Sequence, residues 1–268
     1  MACRNIEKAE KAQHAIQQAV SAASTSILEL DVSSLASVHE FSRQFSQANG
    51  DLDLLINNAG IVAIPLSRNS DNHELQVATN YLGAFALTGL LLPFFCKIRP
   101  ARIVNVGSLA HRFGKLNVDN LNWDKDEYDQ WKAYANSKVA MLSFTLELNR
   151  RLQQDPNRSN IIALGAHPGF ANTNIHQGSA ALTHVGPVRK WIRSRAEKFV
   201  PTAREAARPI ILAADGNNVS GGDYYGPGGF LEIGGKPAAA KLNPVTRNTE
   251  LAGALWKASE ALTGVSYN

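Results

Sequence analysis

Residues 52–60, Leu-Asp-Leu-Leu-Ile-Asn-Asn-Ala-Gly, decide the fold class of this chain. A continuous apolar run that ends in polar residues and glycine is typical of a strand buried on both faces of a parallel sheet, and it predicts a strand over Leu52 to Ala59. The preceding segments, Ile27 to Asp31 and Ser34 to Ala48, predict a short strand and an amphipathic helix. This order of elements predicts an α/β fold with helices on both faces of the sheet.

The same alternation continues on both sides of this segment. Upstream, Asn5 to Ser24 predicts an amphipathic helix, because its apolar residues recur at helical spacing. No repeat or linker interrupts the pattern, so we predict one domain over residues 1–268 with a doubly wound parallel sheet, which binds ligands at the carboxyl ends of its strands. The elements predicted downstream are a helix near Asn72 to Phe95, a strand at Arg102 to Val106, a helix near Ala133 to Leu152, a strand at Asn160 to Ala166, a last strand followed by a loop in Gly221 to Gly235, and a helix near Asn248 to Leu262.

The charge pattern argues against a nucleic-acid partner. The net charge is +4, but cations and acids are interspersed except in Arg189 to Lys198. Nucleic-acid binding usually needs a broader basic surface with stacking aromatic side chains. We therefore predict a small-molecule substrate and no nucleic acid.

Cysteine usage and hydropathy bear on the cellular setting. Cys3 and Cys96 fit neither a disulfide framework nor a zinc site, and the histidines show no ligand spacing, so we predict no metal and a reducing, cytoplasmic location. The most apolar stretch, Leu82 to Phe95, has 14 residues. That length is too short to cross a bilayer core of ~30 Å, so we expect a buried helix and no transmembrane segment.

Tyr134 and Lys138 are candidates for proton chemistry. Their i, i+4 spacing at the start of a predicted helix places the phenol and the ammonium on one face. A nearby cation favours the phenolate and lowers the pKa of tyrosine from its ordinary ~10. An ordinary surface pair would have the same spacing, so the motif needs support from other residues.

Two polar residues supply that support. Ser108 follows the strand Arg102 to Val106, where its hydroxyl can hydrogen-bond a substrate oxygen, although it could simply cap the strand end. Asn80 lies inside a predicted helix, an unfavourable place for asparagine because its side chain competes for backbone hydrogen bonds.

Taken together, these motifs resemble the ordered signature of the short-chain dehydrogenase/reductase family over essentially the whole chain. The matching residues are Asn57-Asn-Ala-Gly60 after a strand, Asn80 in the next helix, Ser108 after the next strand, Tyr134-x-x-x-Lys138, and Pro168-Gly169 with Thr173 beyond. The resemblance implies a Rossmann-like fold and an oxidoreductase that exchanges a hydride between a nicotinamide cofactor and an alcohol or carbonyl substrate.

The resemblance also implies a role for each matching residue. Tyr134 would exchange a proton with the substrate, Ser108 would orient the substrate oxygen, Lys138 would also hold the nicotinamide ribose, and Asn80 would connect Lys138 to a proton relay through its backbone and a bound water. The implied cofactor contacts are Asp31 and Val32 at the adenine ring, Asn58, Ala59 and Gly60 on the adenosine side, and Tyr134, Lys138, Pro168, Gly169 and Thr173.

Arg4 bears on the choice of cofactor. In dinucleotide folds, an acid near the end of the second strand selects NAD, whereas an arginine accommodates the extra phosphate of NADP. Met1 to Asn5 resembles the end of that strand, with Arg4 and no acid at the selecting position. We therefore expect NADP(H) rather than NAD(H), the alternative being that Arg4 only caps the sheet.

The family's first strand and glycine-rich phosphate-binding turn have no counterpart here, since no glycine precedes Gly50. We expect that the missing strand leaves two inner strands with unpaired edges. We hypothesise that Met1 is an internal methionine and that the sequence is an N-terminally truncated gene model or isoform. Three functions stay open: an NADP-dependent oxidoreductase, a truncated and inactive product of such a gene, and a non-enzymatic binding protein on the same fold.

Two segments bear on the substrate and on assembly. The spacing between Ser108 and Tyr134, together with Ser108-Leu-Ala-His111, resembles the retinol dehydrogenase and protochlorophyllide reductase-like branch. Its intervening segment, Arg112 to Lys132, carries aromatic side chains that either shape a bulky apolar pocket or anchor the loop. Ala180 to Val200 corresponds to a substrate lid, and its cations either form a solvated face or meet a membrane or an anion. Whether the chain forms a homodimer stays open.

Overall fold

The computed structural model describes residues 1–48, 50–169 and 201–267. It confirms the predicted α/β fold, with element boundaries within a few residues of those expected from the sequence. The strands are β1 Ala2–Cys3, β2 Leu28–Glu29, β3 Leu54–Asn57, β4 Ala101–Val106, β5 Ile161–Ala166, β6 Tyr224–Pro227 and β7 Pro237–Ala239. The α-helices are α1 Ile6–Ala19, α2 Leu35–Gln47, α3 Leu75–Val77, α4 Gly83–Leu91, α5 Gln130–Gln154, α6 Ala203–Ala206, α7 Arg208–Asp215 and α8 Thr249–Thr263, and a π-helical turn, Ala78–Leu82, joins α3 to α4.

The strands form two separate sheets. β1 and β2 pair in parallel, with Ala2 opposite Leu28, and β3 to β7 form a second sheet in the order β3-β4-β5-β6-β7. β3, β4, β5 and β6 run parallel to one another. In the described part of the chain, β1 and β3 each have one edge without a strand partner. This arrangement agrees with the two unpaired inner edges expected from the sequence.

The far edge of the larger sheet differs from the prediction. β7 pairs antiparallel with β6, with Pro227 opposite Pro237. The glycine-rich segment between them folds into a hairpin, in which Gly228 N–H donates to Lys236 O at 2.7 Å and Gly229 N–H to Gly234 O at 2.9 Å. The sequence predicts only a strand followed by a loop here, because three residues between glycines and prolines give no periodic signal.

Two predicted apolar faces are less buried than expected. In α1 only Ala9 is buried, while Ile16 and Val20 are 37% and 55% exposed, so its apolar stripe does not pack fully. Leu54 and Ile56 of β3 are 38% and 40% exposed. The prediction that β3 is buried on both faces is therefore wrong for one face.

The core lies on the better-covered side of the larger sheet. Tyr81, Phe85 and Phe144 pack edge-to-face or tilted, with ring centroids 5.2 to 6.2 Å apart, and Trp256 of α8 completes the cluster. The helix that carries Tyr81 and Phe85 runs from Leu75 to Phe94, and by length and composition alone its 20 residues could cross a membrane. However, 78% of its apolar window is buried inside this fold.

Candidate active site

The carboxyl end of β4 and the first turns of α5 bring Ser108 and Tyr134 together. The side chain of Asp129 caps α5 by accepting from Trp131 N–H and Lys132 N–H, each at 2.9 Å, which fixes where the helix begins. Ser108 follows β4, and its hydroxyl lies close enough to the hydroxyl of Tyr134 to lower the pKa of the phenol. A hydroxyl pair at the carboxyl edge of a parallel sheet is suited to bind a polar substrate oxygen.

Lys138 lies one helical turn beyond Tyr134 and is only 4% exposed. Its Nζ donates to the carbonyl oxygen of Val106 at 3.0 Å. Burial disfavours the charged form and lowers the pKa of Lys138 to about 8. A lysine in this environment stays mostly protonated at neutral pH.

Asn80 holds the loop after β3 against α5. Its Oδ1 accepts from Ile61 N–H at 2.8 Å, and its Nδ2 donates to Ile61 O at 3.0 Å and to Ser137 Oγ at 2.9 Å. The residue sits in the π-helical turn, and such turns are frequent at functional sites. Its side chain therefore positions two segments of the site, a use of the side chain that the sequence did not predict.

Gly60 links this loop to the buried lysine. A Cβ at Gly60 would lie 3.1 Å from Asn80 Oδ1 and 3.5 Å from Lys138 Nζ. Because the glycine lacks a side chain, the loop backbone can approach both groups closely. Gly60, Asn80 and Lys138 thus form one cluster.

The electrostatics of Tyr134 differ from the expectation based on its spacing to Lys138. Burial raises the pKa of Tyr134, and the nearby Ser108 hydroxyl opposes that effect only in part. Desolvation of the phenolate therefore outweighs any attraction to the lysine in the chain itself. The prediction that Lys138 lowers the pKa of Tyr134 is not borne out by this geometry.

The donor groups at this end of the site fit a nicotinamide ribose. In the described residues, the ammonium of Lys138 makes one hydrogen bond, to Val106 O, so two of its three protons remain for ribose hydroxyls. Pro168 and Gly169 follow β5 at the same edge of the sheet, and Gly169 has a φ of +72°, which glycine adopts readily. Thr173 lies outside the described residues, as does Ala180 to Val200, the segment expected to correspond to a substrate lid.

The residues expected on the adenosine side follow β1, β2 and β3. Arg4 and Asp31 form an ion pair at 3.7 Å, and their side chains are 73% and 32% exposed. Val32 packs against the helix at Gly83, while Asn58 and Ala59 are exposed directly after β3. The described contacts do not join Arg4 to the Ser108–Tyr134 pair. Nor does a glycine-rich turn lead from a strand into an α-helix within the described ranges.

The sequence left two roles open for the aromatic residues of the segment Arg112 to Lys132, shaping an apolar pocket or anchoring the loop. The structure places these residues in different surroundings. The Tyr128 hydroxyl donates to Glu74 at 2.9 Å and accepts from Gln76 at 2.8 Å, and Trp123 packs on the Tyr128 ring at 5.5 Å. These two side chains anchor the segment. Phe113 is 86% exposed and is free to meet a ligand.

Sequence reasoning missed two polar groups near the site. Asn105 lies inside β4 and joins Asn57 of β3 to Thr145 of α5 through hydrogen bonds of 2.8 and 2.9 Å. Glu232, in the glycine-rich hairpin, contacts both Arg112 and His167. A buried amide in an otherwise apolar strand is a readable signal for the first group, whereas nothing local marks Glu232.

Comparisons with known proteins identify the family of this chain. The model of the short chain dehydrogenase family matches residues 1–181. The chain is 34% identical to retinol dehydrogenase 13 of Homo sapiens, covering 99% of this chain and 76% of that protein. It is 32% identical to retinol dehydrogenase 12 of Homo sapiens, covering 100% of this chain and 78% of that protein.

A solved structure extends the similarity to three dimensions. An uncharacterized protein from Mycobacterium Paratuberculosis is 34% identical, has a TM-score of 0.75, and is matched over 100% of this chain and 84% of that one. The chain therefore belongs to the short chain dehydrogenase family, on its retinol-dehydrogenase-like branch, and so to the NAD(P)-dependent oxidoreductases that interconvert alcohols and carbonyls.

Proposed function

We propose that this chain is an NADP(H)-dependent oxidoreductase that interconverts an alcohol and a carbonyl group on a bulky apolar substrate. The observation that carries the proposal is the Ser108–Tyr134 hydroxyl pair beside the buried Lys138. A proton donor, a hydrogen-bonding partner for the substrate oxygen and a cation are the groups that this reaction needs.

Each residue then has a definable task. Tyr134 donates its phenolic proton to the carbonyl oxygen during reduction and takes it back during oxidation. Ser108 donates a hydrogen bond to the same oxygen as negative charge develops on it. Lys138 would bind the nicotinamide ribose with the two protons that Val106 O does not accept. A bound nicotinamide would supply or accept the hydride.

The preference for NADP(H) rests on Arg4. Its side chain is 73% exposed, and its ion pair with Asp31 is long, at 3.7 Å. A weak, exposed ion pair contributes little free energy, so the guanidinium can turn to a phosphate on the adenosine ribose at low cost. A guanidinium also matches the geometry of a phosphate group better than that of a hydroxyl.

The apolar character of the substrate rests on the residues around the site. Phe113 is five residues beyond Ser108 and is 86% exposed, and Phe230, in the hairpin that contacts Arg112, is 85% exposed. Exposed aromatic residues beside a polar site favour a ligand with an extended apolar part. The relatives named retinol dehydrogenase support the same class of substrate.

A binding protein without catalysis is the second candidate. It is favoured by one observation, that the described residues lack a glycine-rich turn from a strand into a helix for the pyrophosphate. Such a protein would keep the fold and the hydroxyl pair but would not turn over a substrate.

Cofactor titration followed by turnover separates the two candidates. Nicotinamide fluorescence is measured while the wild-type chain, Arg4→Ala and Arg43→Ala are titrated with NADPH and NADH. Arg43 is a matched control, an exposed arginine in an ion pair on α2. We expect Arg4→Ala to weaken NADPH binding by about tenfold or more, because one charge-assisted contact is lost, with little effect on NADH.

Turnover is then followed with NADPH and long-chain apolar aldehydes, with Tyr134→Phe as the inactive reference. We expect Tyr134→Phe to lower kcat by at least about a hundredfold, the usual contribution of a positioned proton donor. Absence of NADPH binding by the wild-type chain, or binding with turnover equal to that of Tyr134→Phe, would favour the binding protein. The same titration on any longer form encoded upstream tests whether the pyrophosphate site lies there.

A further inference from the structure

We propose that Glu232 is a positioning residue that joins the segment after β4 to the segment after β5 and thereby fixes Ser108 relative to Pro168 and Gly169. The inference rests on the proposed function, because these segments carry the substrate-binding hydroxyl and the residues expected beside the nicotinamide. Glu232 itself lies in the hairpin between β6 and β7 and acts through the residues that it contacts.

The two carboxylate oxygens of Glu232 serve different segments. Oε1 is ion-paired with Arg112 Nη2, four residues beyond Ser108, and also accepts from Lys241 N–H at 3.3 Å. Oε2 accepts from His167 Nε2 at 3.0 Å, directly after β5. Glu232 is 14% exposed and Arg112 is 26% exposed, so solvent screens this ion pair only in part. One side chain therefore bridges the carboxyl ends of two neighbouring strands.

The connection to the cofactor side runs through His167, which is fully buried. Its Nδ1 accepts from Gly169 N–H at 3.1 Å, so in the neutral ring Nε2 carries the proton and donates it to Glu232. Burial lowers the pKa of His167 to about 4, which keeps the ring neutral. The imidazole thus links the Glu232 carboxylate to the backbone N–H of Gly169 through two hydrogen bonds.

The backbone of the hairpin also meets Gly169 directly. A Cβ at Gly169 would lie 2.4 Å from Ile233 O and 2.9 Å from Glu232 O. The hairpin backbone therefore packs directly against Gly169. Movement of Glu232 would break this contact and also the hydrogen bond that His167 donates to Glu232.

The connection to the substrate side runs through a short 3-10 helix, Leu109–Phe113, which the Ser108 side chain caps by accepting from Ala110 N–H at 3.2 Å. Within it, His111 Nδ1 lies in hydrogen-bond contact with Ser108 O. Asn243 Nδ2 donates to His111 O at 3.0 Å and to Gly114 O at 3.1 Å. Glu232 holds this short helix through its ion pair with Arg112.

The backbone of the hairpin is strained where it presents the carboxylate. Leu231 and Glu232 have φ values of +52° and +58°, in the left-handed region that favours glycine. Neither position is occupied by glycine, although Gly234 and Gly235 follow in the same hairpin. Strained non-glycine residues persist where the surrounding contacts hold them, and they cluster at functional sites.

The test compares Glu232→Gln with Glu250→Gln, an exposed acid in the first turn of α8, by hydrogen exchange and by kinetics. We expect Glu232→Gln to speed amide exchange by at least about tenfold in residues 107–114 and 166–169. Exchange in the part of α5 that packs in the core, residues 139–154, stays unchanged. The control variant should match the wild type in all three regions.

Kinetics give a readout that a purely structural role would not produce. We expect Glu232→Gln to lower kcat by about tenfold or more in the wild-type background, and by less than about threefold in Ser108→Ala, because the loss acts through Ser108. A uniform increase in exchange, unchanged exchange in both segments, or an equal loss of kcat in the two backgrounds would overturn the proposal.

Two further measurements cover a variant that does not fold and a chain that shows no turnover. If Glu232→Gln does not fold, Arg112→Lys is measured in the same way, since it keeps the charge but loses the planar guanidinium fork. If the wild-type chain shows no turnover, the proposed function fails, while the exchange pattern alone supports or overturns the bridge by Glu232.

Discussion

Lys138 combines a proposed role in the site with an unfavourable effect on stability. Its folded-state pKa of about 8 lies below the ordinary 10.5. The unfolded chain therefore binds the proton more tightly, and below pH 8 burying the charge opposes folding by roughly 3 kcal/mol. This opposition weakens as the pH rises from about 8 to 10.5, where the folded protein holds the neutral amine.

We expect Lys138→Met to raise the free energy of unfolding at pH 7 by about 1 to 3 kcal/mol, since it removes a buried charge and loses one hydrogen bond. Urea unfolding at pH 7 and pH 10 measures the gain, which should shrink at the higher pH. The same variant should lose turnover, as expected where a functional residue lowers stability. An equal gain at both pH values would show that charge burial is not its cause.

The positions of single residues could be predicted where a short spacing in the sequence determines them. Tyr134 and Lys138 lie one turn apart on α5 as predicted, and Ser108 reaches the Tyr134 hydroxyl. The direction of the Tyr134 pKa could not be predicted, because it depends on burial by distant segments. Glu232 was equally hidden, since its partners Arg112 and His167 lie 120 and 65 positions away in the sequence.

At the scale of elements, β3, β4 and α5 are joined by a buried chain of polar side chains. Asn57 Nδ2 donates to Asn105 Oδ1 at 2.8 Å and to Thr88 Oγ1 at 3.0 Å, and Asn105 Nδ2 donates to Thr145 Oγ1 at 2.9 Å. Such a network stabilises a fold only while each member keeps its partners.

We expect Asn105→Ala to lower the free energy of unfolding by about 2 to 4 kcal/mol, because it leaves a cavity and removes partners from Asn57 and Thr145. Chemical denaturation measures the change, and Asn149→Ala on α5 is not an equivalent control because the Asn149 Oδ1 accepts from Ala163 N–H. Asn217→Ala, at an exposed turn residue, is the better reference. A loss below about 0.5 kcal/mol would mean that water replaces the amide.

Elements with a strong period were predicted well, and those governed by neighbours were not. The helices α2, α5 and α8 follow their apolar pattern to within three residues. β7 was missed because a three-residue antiparallel strand depends on its hairpin partner. The stripe of α1 was expected to pack, yet Ile16 and Val20 stay exposed, since burial requires an opposing element that periodicity does not reveal.

For the molecule as a whole, His167 makes the free energy of unfolding decrease at acidic pH. Burial lowers its folded-state pKa to about 4, below the ordinary 6.5. The unfolded chain takes up the proton first as the pH falls, so stability present above pH 6.5 is lost progressively down to about pH 4. A single buried histidine of this kind accounts for up to about 3 kcal/mol.

We expect His167→Asn to be less stable than the wild type at pH 7 and to lose less stability between pH 7 and pH 4.5. Urea midpoints at the two pH values measure both quantities, and His14→Asn, at an exposed position of α1, controls for histidine removal in general. Equal acid losses in the wild type and His167→Asn would assign the pH dependence to other groups.

The division of the strands into two sheets has a consequence for how the molecule comes apart. No ladder of backbone hydrogen bonds joins β1 and β2 to the larger sheet within the described residues. Leu30, Val38 and Phe41 are held against α4 mainly by apolar packing. We expect residues 1–48 to open as a separate cooperative unit before the rest of the molecule melts. Partial melting would then remove Arg4 and Asp31 while leaving Ser108, Tyr134 and Lys138 in place. Under the proposed function, the molecule would lose discrimination between cofactors before it loses its catalytic geometry.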